Sequence, residues 1–200
     1  MIYLSGKATK EDRIGTILTF NGYNTKQFNY IDKPWAIDNG CFAQPSKYSD
    51  DKYLEFLNKF EQKNCLFAVA PDVVADAVAT KERSLPMLRQ IRSLGFKCAY
   101  VGQDGEVPST VYWDEFDCLF IGGSTEWKLS QYAGDLIKVA KQNNKWVHMG
   151  RVNTWQRIRV ASVLGCDSAD GTCIAFGPDK NTPIVLGWMN KLQQQPFLAL

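Results

Sequence analysis

WVHMGRVNTWQRIRVASVLGCDSAD, residues 146–170, shows the alternation that decides the fold of this chain. The apolar segment Trp146–Met149 predicts a short strand, and Thr154–Leu164 has its apolar residues at helical spacing. A second, weaker strand is predicted around Cys166–Asp170. A strand, a helix and another strand in this order are typical of a βα unit with parallel strands.

The same alternation extends outward over the rest of the chain. Six further short apolar segments are candidate strands: Ile2–Leu4, Thr16–Phe20, Trp35–Asp38, Leu66–Ala70, Cys98–Val101 and Cys118–Ile121. Strands that alternate with helices indicate an α/β fold, either doubly wound or closed into a barrel. Because the total is eight, we predict a (β/α)8 barrel of the TIM type. Such barrels take about 250 residues, so a chain of 200 must have short connections.

The connecting segments carry helix signals. Three further helices are predicted: Asp50–Lys63, Asp76–Leu94 and Ser130–Gln142. Ser49 is the predicted N-cap of the first, and Pro86 should kink or divide the second. Asn153 is the predicted N-cap of the helix that Gly165 ends, and the tail LQQQPFLAL is interpreted as a final helix with a loose end.

Composition indicates one soluble globular domain spanning residues 1–200, with 45% hydrophobic and 22% charged residues. No apolar run approaches the roughly 18–20 residues that cross a bilayer. The start, MIYLSGKATKEDR, lacks the basic and apolar regions of a signal peptide. We therefore expect a cytoplasmic protein with no membrane partner.

The metal-ligating residues are scattered. Six cysteines form no CxxC pair, and His148 is the single histidine of the chain. We expect no metal site. Cysteines inside apolar runs, such as Cys98 and Cys118, are interpreted as small buried hydrophobes.

Charge is distributed unevenly along the chain. No acidic residue lies between Asp135 and Asp167, but six basic residues do: Lys138, Lys141, Lys145, Arg151, Arg157 and Arg159. Such a cluster around Trp146 and Trp155 is typical of a surface that binds phosphates and stacks on bases. A solvated helix face explains the same run, and the two interpretations stay open.

Polar residues follow strand after strand: Asp38–Gly40, Pro71–Asp72, Gln103–Gly105, Gly122–Ser124, Gly150–Arg151 and Asp167–Asp170. The carboxyl ends of barrel strands form one rim, where active sites lie, so these residues should converge. Carboxylates, an amide and a glycine pair can bind a heterocycle and supply a nucleophile and an acid/base. Taken singly, each aspartate is more typical of an N-cap or a turn.

Six of these stretches, read in order, resemble a known family. IDNGCF, APDVVAD, VGQDG, FIGGSTEW, HMGRV and LGCDSADGT are similar to the ordered motifs of the tRNA-guanine transglycosylases. These barrel enzymes exchange guanine in a polynucleotide for a 7-deazaguanine. The resemblance runs from about Trp35 to Thr172.

The resemblance implies a role for each matching residue. Asp170 would be the nucleophile that attacks the anomeric carbon of the sugar, with Asp167 as the neighbouring candidate, and Asp38 would be the general acid/base. The base itself would be bound by five residues: Asp72, Gln103, Gly122, Gly123 and Met149. No cofactor is implied.

Base exchange also requires contact with a polymer. A target base inside a stack must be flipped out, which calls for a cationic surface around the pocket. The candidate nucleic-acid-binding residues are Lys145, Arg151, Arg157 and Arg159.

The chain departs from the tRNA-acting members of this family. Those enzymes carry a zinc site of three cysteines and a histidine beyond the nucleophile, whereas only Cys173 follows Asp170 here. The segment GTCIAFGPDK also replaces their arginine-containing segment, and Val152 replaces a glycine. A compact barrel without the zinc-binding subdomain is most similar to small phage enzymes that insert 7-deazaguanines into DNA.

The resulting expectation is a DNA-guanine transglycosylase that uses a base such as 7-cyano-7-deazaguanine, acting in the host cytoplasm if phage-encoded. Three alternatives stay open: a tRNA enzyme, a catalytically silent nucleic-acid-binding barrel subunit, and an unrelated barrel enzyme for a small metabolite. The sequence also leaves open a homo-oligomer or a partner subunit.

Overall fold

The computed structural model describes residues 1–7, 9–22 and 32–194. Eight strands form one closed, all-parallel barrel in chain order, in which the last strand pairs with the first. The strands are β1 Ile2–Ser5, β2 Ile14–Thr19, β3 Trp35–Asp38, β4 Cys65–Val69, β5 Cys98–Gly102, β6 Cys118–Ile121, β7 Trp146–Met149 and β8 Ser168–Gly171. With helices between strands, this architecture confirms the predicted (β/α)8 fold.

Side chains alternate between two apolar layers, as the period of two in a strand requires. One set fills the barrel interior: Leu4, Ile17, Ala36, Phe67, Val69, Ala99, Val101, Cys118 and Phe120. The alternate residues, such as Trp35, Leu119 and Val147, pack outward against the helices. Burial of both faces explains why the strands read as continuous apolar runs rather than as alternating ones.

The helices are α1 Asp50–Leu57, α2 Ala77–Ser93, α3 Thr125–Lys128, α4 Gln131–Gln142, α5 Trp155–Val163 and α6 Pro178–Gln194. Short 3-10 turns cover Pro45–Lys47, Pro108–Thr110 and Trp113–Glu115. Ser49 caps α1 as predicted, with its hydroxyl accepting from the Lys52 N–H. The final helix begins at Pro178, well before the tail LQQQPFLAL, and includes the first three residues of that tail. Residues 195–200 fall outside the described residues.

Three helix predictions need correction. The helix predicted to reach Lys63 ends at Leu57, although Phe60 still packs into the core from the turn that follows. Pro86 does not divide α2, because it lies on the exposed face, where water can serve the carbonyl that loses its donor. The N-cap of α5 is Thr154 and not Asn153.

The structure also tests the predictions about the cysteines, the strand bounds and membrane-spanning helices. All six cysteines are free, and Cys98 and Cys118 are buried as expected. The predicted strand Thr16–Phe20 begins two residues earlier, and the weak strand at Cys166–Asp170 begins two residues later. Across the described ranges, no helix combines the length and the apolar character needed to span a bilayer.

Candidate active site

A cavity opens at the carboxyl ends of the strands. Seven residues predicted from the sequence line it: Asp38, Asp72, Gln103, Gly122, Gly123, Arg151 and Asp170. Their convergence follows from the barrel, because each lies in or directly after the carboxyl end of its strand. Side chains of Phe42, Val69, Val101 and Phe120 supply apolar walls.

Strand parity explains why three of the polar side chains point inward. Asp38 follows Ala36 by two residues, and Gln103 follows Val101 by two, so both continue an inward-facing row. Asp170 likewise follows Ser168, which is fully buried in β8. The top layer of the barrel interior is therefore polar where the layers below it are apolar.

Asp38 has an environment suited to proton transfer. Its pKa is raised to about 7, chiefly by burial; a hydrogen bond from Gly40 opposes this shift, and the charges of Asp170 and Asp72 contribute to it. The Gly40 N–H donates to Oδ1 at 2.6 Å. A carboxyl group with this pKa can both give and take a proton near neutral pH, which is the requirement for a general acid/base.

Asp72 and Gln103 form one rigid unit with Asn39. The Asn39 amide donates to Asp72 Oδ1 at 2.8 Å, and the Gln103 amide donates to Oδ2 at 2.6 Å. Burial raises the pKa of Asp72 against the effect of these donors and of Arg83. Because the three side chains come from successive strands, the unit fixes the position of the carboxylate in the pocket wall.

The glycine pair is required by close approach. A side chain at Gly122 would meet Val101 at 2.5 Å, and one at Gly123 would meet Trp127 at 2.5 Å, in a backbone with φ of 55°. The two N–H groups are already engaged, that of Gly122 with Gly102 and that of Gly123 with Gln103. The Gly123 carbonyl accepts from Arg151. The Gly122 carbonyl is therefore the main-chain group of this pair that can contact a ligand.

Asp170 and Asp167 occupy opposite ends of β8. Asp170 lines the pocket with its side chain 19% exposed, and its Oδ1 lies 3.0 Å from His148 Nε2. Asp167 precedes the strand and holds Lys141 at 2.8 Å. Of the two nucleophile candidates, only Asp170 reaches the pocket.

The structure does not bring Met149 to the pocket. Met149 is fully buried in the layer between barrel and helices, because its neighbour His148 occupies the inward position on β7. The prediction that Met149 packs on the face of a bound base is therefore wrong, because its side chain does not reach the pocket. Phe42 and Phe120 are the aromatic side chains that line the cavity.

The four predicted nucleic-acid contacts separate in space. Arg151 lines the pocket, with its guanidinium 4.6 Å from the Phe42 ring centre, and Arg157 donates to the Arg151 carbonyl at 3.3 Å. Lys145 precedes β7 at the opposite end of the barrel, where it donates to the Phe116 carbonyl at 2.9 Å. Arg159 is exposed on α5 beside Val160 and Val163. The basic residues of the acid-free stretch therefore do not form one surface around the pocket. The prediction that Lys145 contacts nucleic acid beside the pocket is wrong, because Lys145 lies at the opposite end of the barrel.

Sequence reasoning placed Asn39 on the rim but gave it no role, and it missed His148 and Lys128. Asn39 braces Asp72, and His148 contacts Asp170. Lys128 is 1% exposed, donates to the Gly150 carbonyl at 2.8 Å, and has its pKa lowered to about 7, chiefly by burial. A single histidine between apolar residues, two residues before the rim, was the available signal for His148.

The donor set of the pocket suits a planar, polar ligand. Among the residues that the structure describes, no group of three or more His, Cys, Asp and Glu side chains is placed to hold a metal ion. The pocket presents carboxylates, amides and aromatic rings, which bind heterocycles through their edges and faces. No model of a protein family matches this chain, and no curated protein matches it either.

Proposed function

We propose that this protein is a base-exchange transglycosylase that replaces guanine in DNA with a 7-deazaguanine, such as its 7-cyano form. The observation that carries the proposal is the convergence of Asp38, Asp72, Gln103 and Asp170 on one cavity. These are the residues to which the sequence resemblance gave the chemical steps and the base contacts. The raised pKa of Asp38 supports its part in the reaction.

The first half of the reaction removes guanine. A carboxylate oxygen of Asp170 attacks C1′ of the deoxyribose, and the C1′–N9 bond breaks with its electron pair going to the purine. Asp38 donates its proton to the departing base, because an N-linked base is a poor leaving group unless it is protonated. The product is a covalent ester between the sugar and Asp170, as in retaining glycosidases.

The second half inserts the new base. Asp38, now a carboxylate, accepts the proton from N9 of the incoming 7-deazaguanine. That nitrogen attacks C1′, and the bond to Asp170 breaks to release the carboxylate. Two inversions retain the anomeric configuration.

The Asp72–Gln103 unit supports recognition of guanine. Each carboxylate oxygen accepts one protein hydrogen bond and has a second lone pair for a ligand. Guanine presents N–H donors on its pairing edge, which match a fixed carboxylate. Phe42 and Phe120 offer apolar contact for its ring.

DNA is proposed as the polymer because the segment GTCIAFGPDK directly after Asp170 replaces the arginine-containing segment of the tRNA-acting family members. Arg151, at the pocket, and Arg157, beside it, are the candidate phosphate contacts. If the chain is phage-encoded, the reaction takes place in the host cytoplasm.

The test is incorporation of radiolabelled guanine into duplex DNA, with tRNA as a parallel substrate, followed by release of the label by 7-cyano-7-deazaguanine. Label in DNA and a protein–DNA ester found by mass spectrometry are the expected results. Label only in tRNA would reassign the polymer. Binding of DNA without any exchange would favour a silent binding subunit. Failure to bind either polymer would favour an enzyme for a small metabolite.

A further inference from the structure

We propose that His148 is a positioning residue that orients Asp170 for attack, as the last member of a hydrogen-bonded line from Trp146 through Ser168. The inference rests on the proposed function, since it deepens the role of Asp170 in that reaction. Its structural part stands on the geometry of β7 and β8 alone.

The line is continuous from one end of the barrel to the pocket. The Trp146 indole N–H donates to Ser168 Oγ at 2.8 Å, and Ser168 Oγ lies 2.8 Å from His148 Nδ1. His148 Nε2 then lies 3.0 Å from Asp170 Oδ1. Each of these separations is an ordinary hydrogen-bond distance.

The partners fix where the protons lie. Because Ser168 accepts from Trp146, its own O–H is free to donate to His148 Nδ1. Nδ1 is then an acceptor, so a neutral ring carries its proton on Nε2 and donates it to Asp170. This is the one arrangement of a neutral ring in which every donor of the line has an acceptor within the line.

The line is also rigid. His148 and Ser168 are fully buried and are register partners on neighbouring strands. The imidazole packs against both Phe67 and Phe120, with ring centres 5.1 Å and 4.6 Å away. Sites carried by strands hold their side chains more precisely than sites on loops.

This arrangement leaves one oxygen of Asp170 for chemistry. Oδ1 is held by His148, whereas Oδ2 has no hydrogen-bond partner among the described residues. The hydrogen bond to Oδ1 holds the carboxylate in one orientation, so the direction from which Oδ2 can attack is fixed.

The kinetic test compares His148→Phe with His148→Gln. Phe removes the donor, and we expect ester formation to slow about 10- to 100-fold in single-turnover experiments, with little change in the affinity for free guanine. Gln carries an amide N–H near the position of Nε2, so it should recover much of the lost rate. A purely structural role predicts no such recovery.

A matched pair of tryptophan variants controls for packing. Trp146→Phe removes the first donor of the line and should slow ester formation by a smaller factor than His148→Phe. Trp35→Phe removes a comparable indole donor, which bonds the Lys63 carbonyl at 2.7 Å from the start of β3. We expect Trp35→Phe to leave the rate within about 2-fold of wild type, because it lies outside the line.

The single histidine makes the proton arrangement directly observable. In protein labelled with 15N-histidine, we expect one imidazole whose Nε2 carries the proton, and Asp170→Asn should shift that signal. An Nδ1–H tautomer would overturn the inference without touching the proposed function. Undiminished ester formation by His148→Phe, in the presence of wild-type exchange, would do the same.

The two hypotheses fail in different ways. A wild-type protein that exchanges guanine in neither DNA nor tRNA overturns the proposed function and the catalytic role of the line together. Exchange by wild type and loss in His148→Phe with recovery in His148→Gln supports both. Circular dichroism of each variant establishes that the comparison is made between folded proteins.

Discussion

The two ends of the barrel treat the same residue type in opposite ways. At the amino end, Asp117 lies 3.2 Å from Arg92, and Asp167 lies 2.8 Å from Lys141. At the carboxyl end, Asp38, Asp72 and Asp170 line one cavity, and among the described residues none of their carboxylate oxygens forms an ion pair within 4.0 Å of a lysine or arginine nitrogen. Their partners are main-chain N–H groups, amides and an imidazole.

The aspartates at the amino end share one structural function. Oδ2 of Asp117 accepts from the N–H of Cys98 at 2.9 Å, and Oδ2 of Asp167 accepts from the N–H of Val147 at 2.7 Å. Each aspartate directly precedes its own strand and binds an N–H at the start of the strand before it, that of the first residue of β5 for Asp117 and that of the second residue of β7 for Asp167. Arg92 and Lys141 then neutralise the charges of these two carboxylates. Their function is therefore to connect neighbouring strands by hydrogen bonds.

The carboxyl end keeps its charges available instead. Lys128 is the nearby buried cation, but it donates to the Gly150 carbonyl, and burial lowers its pKa to about 7. The charges of Asp170 and Asp72 therefore act on Asp38 without full compensation. Carboxylates without cationic partners raise the energy of the folded state, and carboxylates with such perturbed pKa values are typical of functional sites.

The largest expected effect separates the two aspartates of β8. Asp170→Asn should reduce base exchange at least about 1,000-fold and abolish the covalent ester, because an amide is a far weaker nucleophile. Asp167→Asn changes the same functional group at the other end of the strand and should leave exchange within about 3-fold. The radiolabel assay measures both. Exchange retained by Asp170→Asn would show that the nucleophile lies elsewhere.

The second prediction uses the pH dependence of ester formation. In the proposed reaction Asp38 must be protonated to release guanine, and its pKa is about 7. The single-turnover rate should therefore fall with rising pH, approaching about tenfold per unit well above pH 7. Asp38→Asn should lose the rate and this limb of the profile together. A rate that stays constant from pH 6 to 9 would remove Asp38 from the role of acid.

The sequence predicted the barrel and most of the cavity because both follow from local rules. Apolar runs separated by helical patterns define the strands, and polar residues directly after them mark the rim. Asp38 and Gln103 are found by this rule alone. Lys145 directly precedes β7, so the same rule places it at the amino end of the barrel. The prediction that it contacts nucleic acid came from counting charges along the sequence, which ignores the direction of the strand.

The remainder depends on contacts between strands. Of the adjacent residues His148 and Met149, only the one that faces the barrel interior can reach the site. The adjacent sequence does not show which of the two faces inward. The line from Trp146 to Asp170 needs the register of β7 against β8. Asn153 has the chemistry of an N-cap, but its side chain accepts from the Thr172 and Cys173 N–H groups after β8, so Thr154 caps the helix.

The third prediction concerns stability at the carboxyl end. The pKa of Asp38 is raised from 3.8 to about 7, so the folded protein binds its proton more tightly than the unfolded chain does. The resulting stabilisation is complete below about pH 4 and is lost as the pH rises through about 7. Asp38→Asn should therefore increase the free energy of unfolding at pH 8 by ~1–3 kcal/mol relative to wild type, with a smaller gain at pH 5. Urea titrations at the two pH values measure the difference.

The smallest effect is expected at the amino end, where charge removal should have the opposite sign. Lys141→Met breaks the half-exposed ion pair with Asp167, and such pairs contribute about 0.2–1 kcal/mol. The variant should be less stable than wild type by about that amount in low salt, and the difference should shrink in 1 M NaCl because salt screens exposed charges. Base exchange should be unchanged, since the pair lies across the barrel from the cavity. A stabilising effect of Lys141→Met would mean that the charges at the amino end also raise the energy of the folded state. The comparison of the two ends would then no longer distinguish the carboxylates that are proposed to react.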